Sequence, residues 1–302
     1  MRGLLTIPGG PLEHEGVLPR YLVCLRVPEI VVLQGSPLLG AAFAVRHAVA
    51  ENLGPLAILA AANVCLVAHI FALNDWSNVA ADLRDPNKAA GVFTVRGVGR
   101  KEMGALAAVL LVVSLVLFAR LGAPTLLIAL GIALLSALYS LPPFAWKGRP
   151  LLNSAAHLAG GALHFLLGYS LGAGIDRRGL IVAAFFAVTF TAGHLTQELR
   201  DYDGDVRNGV RTNAVIFGKR AAFAASLALF TLSQALLCVV AVQGTIPRAA
   251  GLLVVLYPVH LRWSLQALGD GLSYASVCRL QARYRGLYAV IGVVMIAALW
   301  LT

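Results

Sequence analysis

Apolar stretches that approach or exceed the roughly 18 residues of a membrane-crossing helix recur along this chain. The pattern predicts nine spans, at about 28–45, 53–73, 103–120, 122–141, 151–171, 179–199, 221–243, 247–268 and 286–302. Glu29 and Gln34 interrupt the first, and His260 and Arg262 the eighth. No apolar run precedes residue 21, so the N-terminal segment does not read as a cleaved signal peptide. The expected fold is an all-α polytopic membrane protein, a single domain over residues 1–302. Spans two and six each end in an acidic cluster followed by a long polar loop. That correspondence predicts two four-helix repeats, about 22–141 and 151–268, with a ninth helix at 286–302, around a central cavity.

Composition supports the same reading. Of 302 residues, 59% are hydrophobic and 13% charged, against about 25% charged in a soluble domain. A net charge of +10 invites a nucleic-acid partner, but the placement of the charge argues otherwise. With loops assigned alternately to the two sides, 19 of the 24 Lys and Arg residues share the side of the N-terminus. The positive-inside rule then makes the N-terminus and both acidic clusters cytoplasmic, in a bacterial or archaeal cell membrane. The basic balance is a topology signal, with some attraction to anionic headgroups or a diphosphate. Cys24, Cys65, Cys238 and Cys278 show no metal-type spacing and read as buried small hydrophobes.

The two clusters carry the candidate chemistry. Seven of the fourteen Asp and Glu residues fall in or beside Asn74–Asp82 and Glu198–Asp205. Carboxylates at a membrane boundary are costly unless a cation compensates them. On a helix, Asp75, Asn78 and Asp82 share one face, with Asn74 at its flank. Asp201 and Asp205 are one turn apart, with Glu198 and His194 on the preceding turns. Oxygen ligands at two helix ends suit Mg²⁺ bridging carboxylates, waters and phosphate oxygens. The competing reading pairs these carboxylates with Arg84, Lys88, Arg200 or Arg207.

On these motifs the chain resembles the UbiA superfamily of intramembrane prenyltransferases, across nearly its whole length. Asn74, Asp75, Asn78 and Asp82 match the family's NDxxDxxxD, with Asn78 in place of the middle Asp. Asp201 and Asp205 match DxxxD, and Asp201 to Gly218 resembles DxxGDxxxGxxTxAVxxG. Tyr139-Ser140-Leu141-Pro142-Pro143 with Lys147 resembles LYSxPP…K. The family's Arg-Pro loop is absent, leaving Lys88 and Arg96 as the loop's phosphate-gripping candidates.

The resemblance implies Mg²⁺ at Asp75, Asn78, Asp82, Asp201 and Asp205, and an isoprenyl diphosphate as substrate. Asn74, Lys88, Arg96, Lys147 and Arg211 are the expected substrate contacts. Tyr139 would present its ring to allylic cation character, or else serve as an interfacial tyrosine. His194 and Glu198 would accept a proton, or form a buried pair supporting the ligands. His157, His164, Asn63 and His69 read as polar residues of the core or cavity.

The leading expectation is prenyl transfer to a lipophilic acceptor of aromatic type. A terpene cyclase of the same superfamily is the alternative, since it shares the ionisation and lacks the acceptor. A cation or lipid transporter fits less well, because the acidic groups lie at helix ends rather than midspan.

Overall fold

A computed structural model of the chain describes residues 20–21, 24–45, 50–172 and 174–301. The N-terminal stretch that bears on a leader segment lies outside the described residues, as does Arg46. Every regular element among the described residues is helical. In chain order they are α1 (Val27–Leu33), α2 (Gly35–Val45), α3 (Leu53–Asp82), α4 (Arg100–Ala119), α5 (Ala123–Ser140) and α6 (Leu152–Tyr169). There follow α7 (Arg177–Arg207), α8 (Asn213–Phe217), α9 (Lys219–Val242), α10 (Tyr257–Gly269) and α11 (Tyr274–Leu301).

Among the described residues, seven helices are long and apolar enough to cross a membrane: 27–45, α3, α4, α5, α7, α9 and 274–299. They coincide with seven of the nine expected spans. The expected fifth span is the 18-residue α6, whose Asn153, His157 and His164 dilute its apolar character. The expected eighth divides into a 3-10 run, Arg248–Leu256, and the 13-residue α10, which begins beside Pro258. The ninth begins a dozen residues earlier than its apolar run, at Tyr274, because its first turns are polar.

The first span is broken at Gln34, and α3 compensates the break. Asn63 Nδ2 donates to Gln34 Oε1 at 2.9 Å and to the Leu33 carbonyl at 3.4 Å. His69 likewise meets the Ala107 carbonyl at 2.8 Å. Both polar residues therefore serve packing between helices, where hydrogen bonds replace a hydrophobic driving force.

Small residues bring α2 and α6 together. A Cβ on Gly40 would overlap the Phe165 carbonyl, and one on Gly168 the Pro37 carbonyl. Around this crossing Phe43 meets Phe165 edge-on, with ring centres 5.9 Å apart, and Phe165 stacks on Phe186 at 4.8 Å.

Two helices overshoot the membrane. α3 has 30 residues and α7 has 31, so each is roughly 45 Å long against an apolar core of about 30 Å. The excess turns carry the two acidic motifs, which are helical throughout rather than part of the loops.

Candidate active site

The ends of α3 and α7 are tied together directly. Asn208 Nδ2 donates to the Ala81 carbonyl at 3.0 Å, and Arg84 Nε donates to Asn208 Oδ1 at 2.8 Å. Asp85, just beyond α3, is buried against α7, and its carboxylate accepts the Asn87 N–H at 2.9 Å. A Cβ on Gly204 would overlap Asp85 Oδ2, so only glycine lets α7 approach the loop this closely. Asp85, Gly204 and Asn208 thus hold the two motifs in register. The -Gly-Asp- in the second motif was the available sequence signal, but its partner was not visible.

Lys88 lies between the two motifs. Its Nζ is 3.1 Å from Asp201 Oδ2, 3.9 Å from Asp85 Oδ2 and 4.0 Å from Asp82 Oδ1. Burial works against this ammonium, yet Asp201, Asp82 and Asp205 around it hold its pKa above the ordinary lysine value. One cation therefore bridges carboxylates from both motifs. Asp201 is further held by Arg200, whose Nε donates to Oδ1 at 2.8 Å.

Asp75 forms an ion pair with Arg26, a residue from the segment before α1 that the motif analysis had not placed in the site. Asn74 Nδ2 reaches Ser140 Oγ at 3.4 Å, linking the first motif to the Tyr139–Ser140 segment. Asn78 Nδ2 donates to the Asn74 carbonyl at 2.8 Å. An Asp could not make that bond, so the departure from the family motif has a local structural consequence. Among the described residues, no group of three or more His, Cys, Asp or Glu side chains is assembled as a metal site. Lys88, Arg200 and Arg26 are interleaved with the carboxylates instead. The donor set itself, carboxylates around a bridging cation, has the hard-oxygen chemistry that Mg²⁺ requires.

The ion-pair reading is thus partly realised, by Lys88 and Arg200 on Asp201. It leaves out Asp205, which is buried without a salt bridge among the described residues. Lys147 is the cation acting most strongly on Asp205, ahead of Lys88. Asp203 points elsewhere, exposed and 3.4 Å from Lys219 Nζ.

Behind Asp205 lies a buried polar hub. Glu198 accepts from Asn153 Nδ2, from Asn213 Nδ2 at 3.0 Å and from the Ala214 N–H at 3.0 Å. Through these three bonds Glu198 ties α6, α7 and α8 together. His194 Nε2 sits 3.1 Å from Glu198 Oε1, but out of hydrogen-bond alignment. The ring of His194 stacks on His157 at 3.6 Å and 11°. Tyr139 meets His157 edge-on at 5.1 Å, so α5, α6 and α7 form one aromatic wall next to the acidic helix ends. His164 lies deeper, its ring edge-on to Phe190 at 6.2 Å.

Two expected contacts stand apart from this cluster. Arg211 is exposed on the loop before α8. Arg96 acts on Cys24, and its Nε is buried without a hydrogen-bond partner among the described residues.

Solved structures share this arrangement of helices. A UbiA homologue from Archaeoglobus fulgidus bound to GPP and Mg²⁺ is 17% identical, with a TM-score of 0.71 over 93% of this chain and 98% of that one. The same homologue bound to DMAPP and Mg²⁺ superposes with a TM-score of 0.67 at 16% identity, over 92% of this chain and 99% of that one. A structure describing digeranylgeranylglyceryl phosphate synthase in membranes gives 0.70 at 16% identity, over 94% and 99%. No curated protein sequence matches the chain. The profile of the UbiA prenyltransferase family matches residues 36–277, and the chain belongs to that family.

Proposed function

We propose that this protein is a Mg²⁺-dependent prenyltransferase. It ionises an isoprenyl diphosphate within the membrane and passes the prenyl group to a lipophilic acceptor. The observation that carries this reading is the convergence of α3 and α7 on a single cation, Lys88, through carboxylates of both motifs. The Archaeoglobus homologue, with the same helix arrangement, holds GPP or DMAPP with Mg²⁺.

Asp75, Asp82, Asp201 and Asp205, with Asn78, would hold Mg²⁺, which when bound neutralises the diphosphate and stabilises C–O ionisation. Lys88 would then exchange its carboxylate partners for phosphate oxygens, Lys147 would add a second phosphate contact, and Arg26 would be displaced from Asp75. Arg96 and Arg211 are the outer phosphate contacts. Asn74, fixed by Ser140, orients the first motif toward the substrate. Tyr139, braced edge-on by His157, offers its ring face to the allylic carbon as it gains positive charge. Glu198 positions α6, α7 and α8, and leaves His194 as the wall's proton acceptor. The two halves, about 22–141 and 151–268, contribute one motif each.

The test is product analysis with purified protein, Mg²⁺ and geranyl, farnesyl or geranylgeranyl diphosphate. The proposal expects prenylated product only when an acceptor pool, such as a membrane extract, is supplied. A cyclic terpene formed without acceptor would replace it with the cyclase reading.

A further inference from the structure

The outer face of α10 and α11 carries a polar feature that the reaction does not use. Two adjoining grooves, of about 460 and 270 Å³, share Trp263, Gln266 and Arg283. The larger is lined by Pro258 and Val259 at the start of α10, the end away from the 270–273 turn. The smaller ends at Asp270 and Arg279 near the 270–273 turn. Arg262 and Arg283 are both exposed. The grooves' carboxylate, Asp270, is held by Arg279 at 2.9 Å, so neither Arg262 nor Arg283 has an acidic partner among the described residues. Arg283 is nonetheless fixed. Its Nη1 donates to Gln266 Oε1 at 3.1 Å, and its guanidinium lies over the Trp263 ring, 5.7 Å from the centre.

The depth of these groups matters. At about 1.5 Å per residue, Arg262 and Arg283 lie roughly 10 and 13 Å from the turn that joins the two helices. Arg200, at the motif end of α7, reaches Gln281 on α11 at 3.5 Å, which puts the groove level with the acidic end of the bundle. Cations at this level lie at the headgroup boundary, where each attracts an anionic lipid headgroup. The positive-inside tendency explains arginines near this face. It does not explain a pre-set guanidinium, without an acid against it, opening onto an apolar channel. Cationic at the mouth and apolar inward, the groove has the polarity order of a phospholipid, and Trp263 is the type of side chain that settles at the headgroup level.

We propose that the α10–α11 groove binds one anionic phospholipid. Arg262 and Arg283 hold its headgroup phosphate, and an acyl chain follows Pro258 and Val259. Basic pockets between spans are the usual receptors for such headgroups.

Native mass spectrometry of delipidated protein, titrated with phosphatidylglycerol or phosphatidylcholine, tests this. Phosphatidylglycerol should bind preferentially. Its affinity should fall about thirtyfold in the Arg262→Gln/Arg283→Gln variant, the order expected for losing two surface cations. It should be unchanged in Arg248→Gln at the opposite end of the 3-10 run. The Arg262→Lys/Arg283→Lys variant should recover most of the affinity. Equal binding of the two lipids, unchanged affinity in the Gln variant, or no recovery with Lys would each overturn the site. Displacement of the lipid by inorganic phosphate alone would also overturn it, in favour of a small-anion site.

Discussion

Lys88 shows how much single side chains decide in this site. It sits where a cation is wanted by two motifs at once, so Lys88→Met should relieve competition. In the absence of diphosphate, Mn²⁺ affinity measured by electron paramagnetic resonance should rise by roughly tenfold, the order expected from removing one charge from a half-buried cluster. Unchanged affinity would place Lys88 outside the cation site. Its raised pKa also has a sign. A lysine stabilised in the folded protein contributes fully below its unfolded pKa, and the contribution fades as pH rises through the folded one. Docking of the 83–99 loop, followed by hydrogen exchange, should therefore hold through neutral pH and weaken only in strong alkali. Asn78 is the second case. Asn78→Asp gives up the bond to the Asn74 carbonyl and adds a charge, and should lower the Mg²⁺ concentration needed for half-maximal activity. An identical Mg²⁺ titration would exclude it from contact with the ion.

At the scale of elements, close approaches set the geometry. In Gly204→Ala the new methyl would collide with Asp85, and its accommodation separates α7 from the first motif's loop. Misplacement of about 1 Å can cost about a hundredfold in rate, so kcat/KM should drop by that order while the protein stays folded. Activity close to wild type would show that the loop yields without disturbing the site. The crossing of α2 and α6 predicts a stability effect instead. Gly168→Ala should cost about 1–3 kcal/mol by overpacking, whereas Gly160→Ala, with open space around it, should be neutral or mildly stabilising. Thermal unfolding in detergent separates the two. These elements also show what was legible in the chain. Asp75, Asp82, Asp201 and Asp205 could be found because acidic residues at the ends of apolar runs are costly and local in sequence. Asp85 was among the clustered acids, but its fit against Gly204 was not visible, and Arg26 was not found at all, since these roles arise from contacts with residues far along the chain. The expected spans, ending near 73 and 199, fall short of the helix ends, because apolarity stops at the membrane boundary while the backbone hydrogen bonds of α3 and α7 continue through the motifs.

For the whole molecule, the long helices and the asymmetric placement of Lys and Arg make a membrane bundle with its acidic helix ends gathered on one side. The expected orientation puts that side in the cytoplasm. A cysteine at position 207, after the second motif, should then react with impermeant maleimide only in inside-out vesicles, and one at position 120 only in right-side-out vesicles. The reverse pattern would invert the topology. The central claim concerns what the bundle does with the two motifs it gathers. The most direct measurement is diphosphate release from geranyl diphosphate plus an acceptor pool by purified protein, with and without Mg²⁺, for wild type, Asp75→Asn and Asp201→Asn. The account predicts release that depends on Mg²⁺ and falls by about two to three orders of magnitude in each variant, as when a preorganised charge-stabilising group is lost. Undiminished release in either variant, or release indifferent to Mg²⁺, would contradict it.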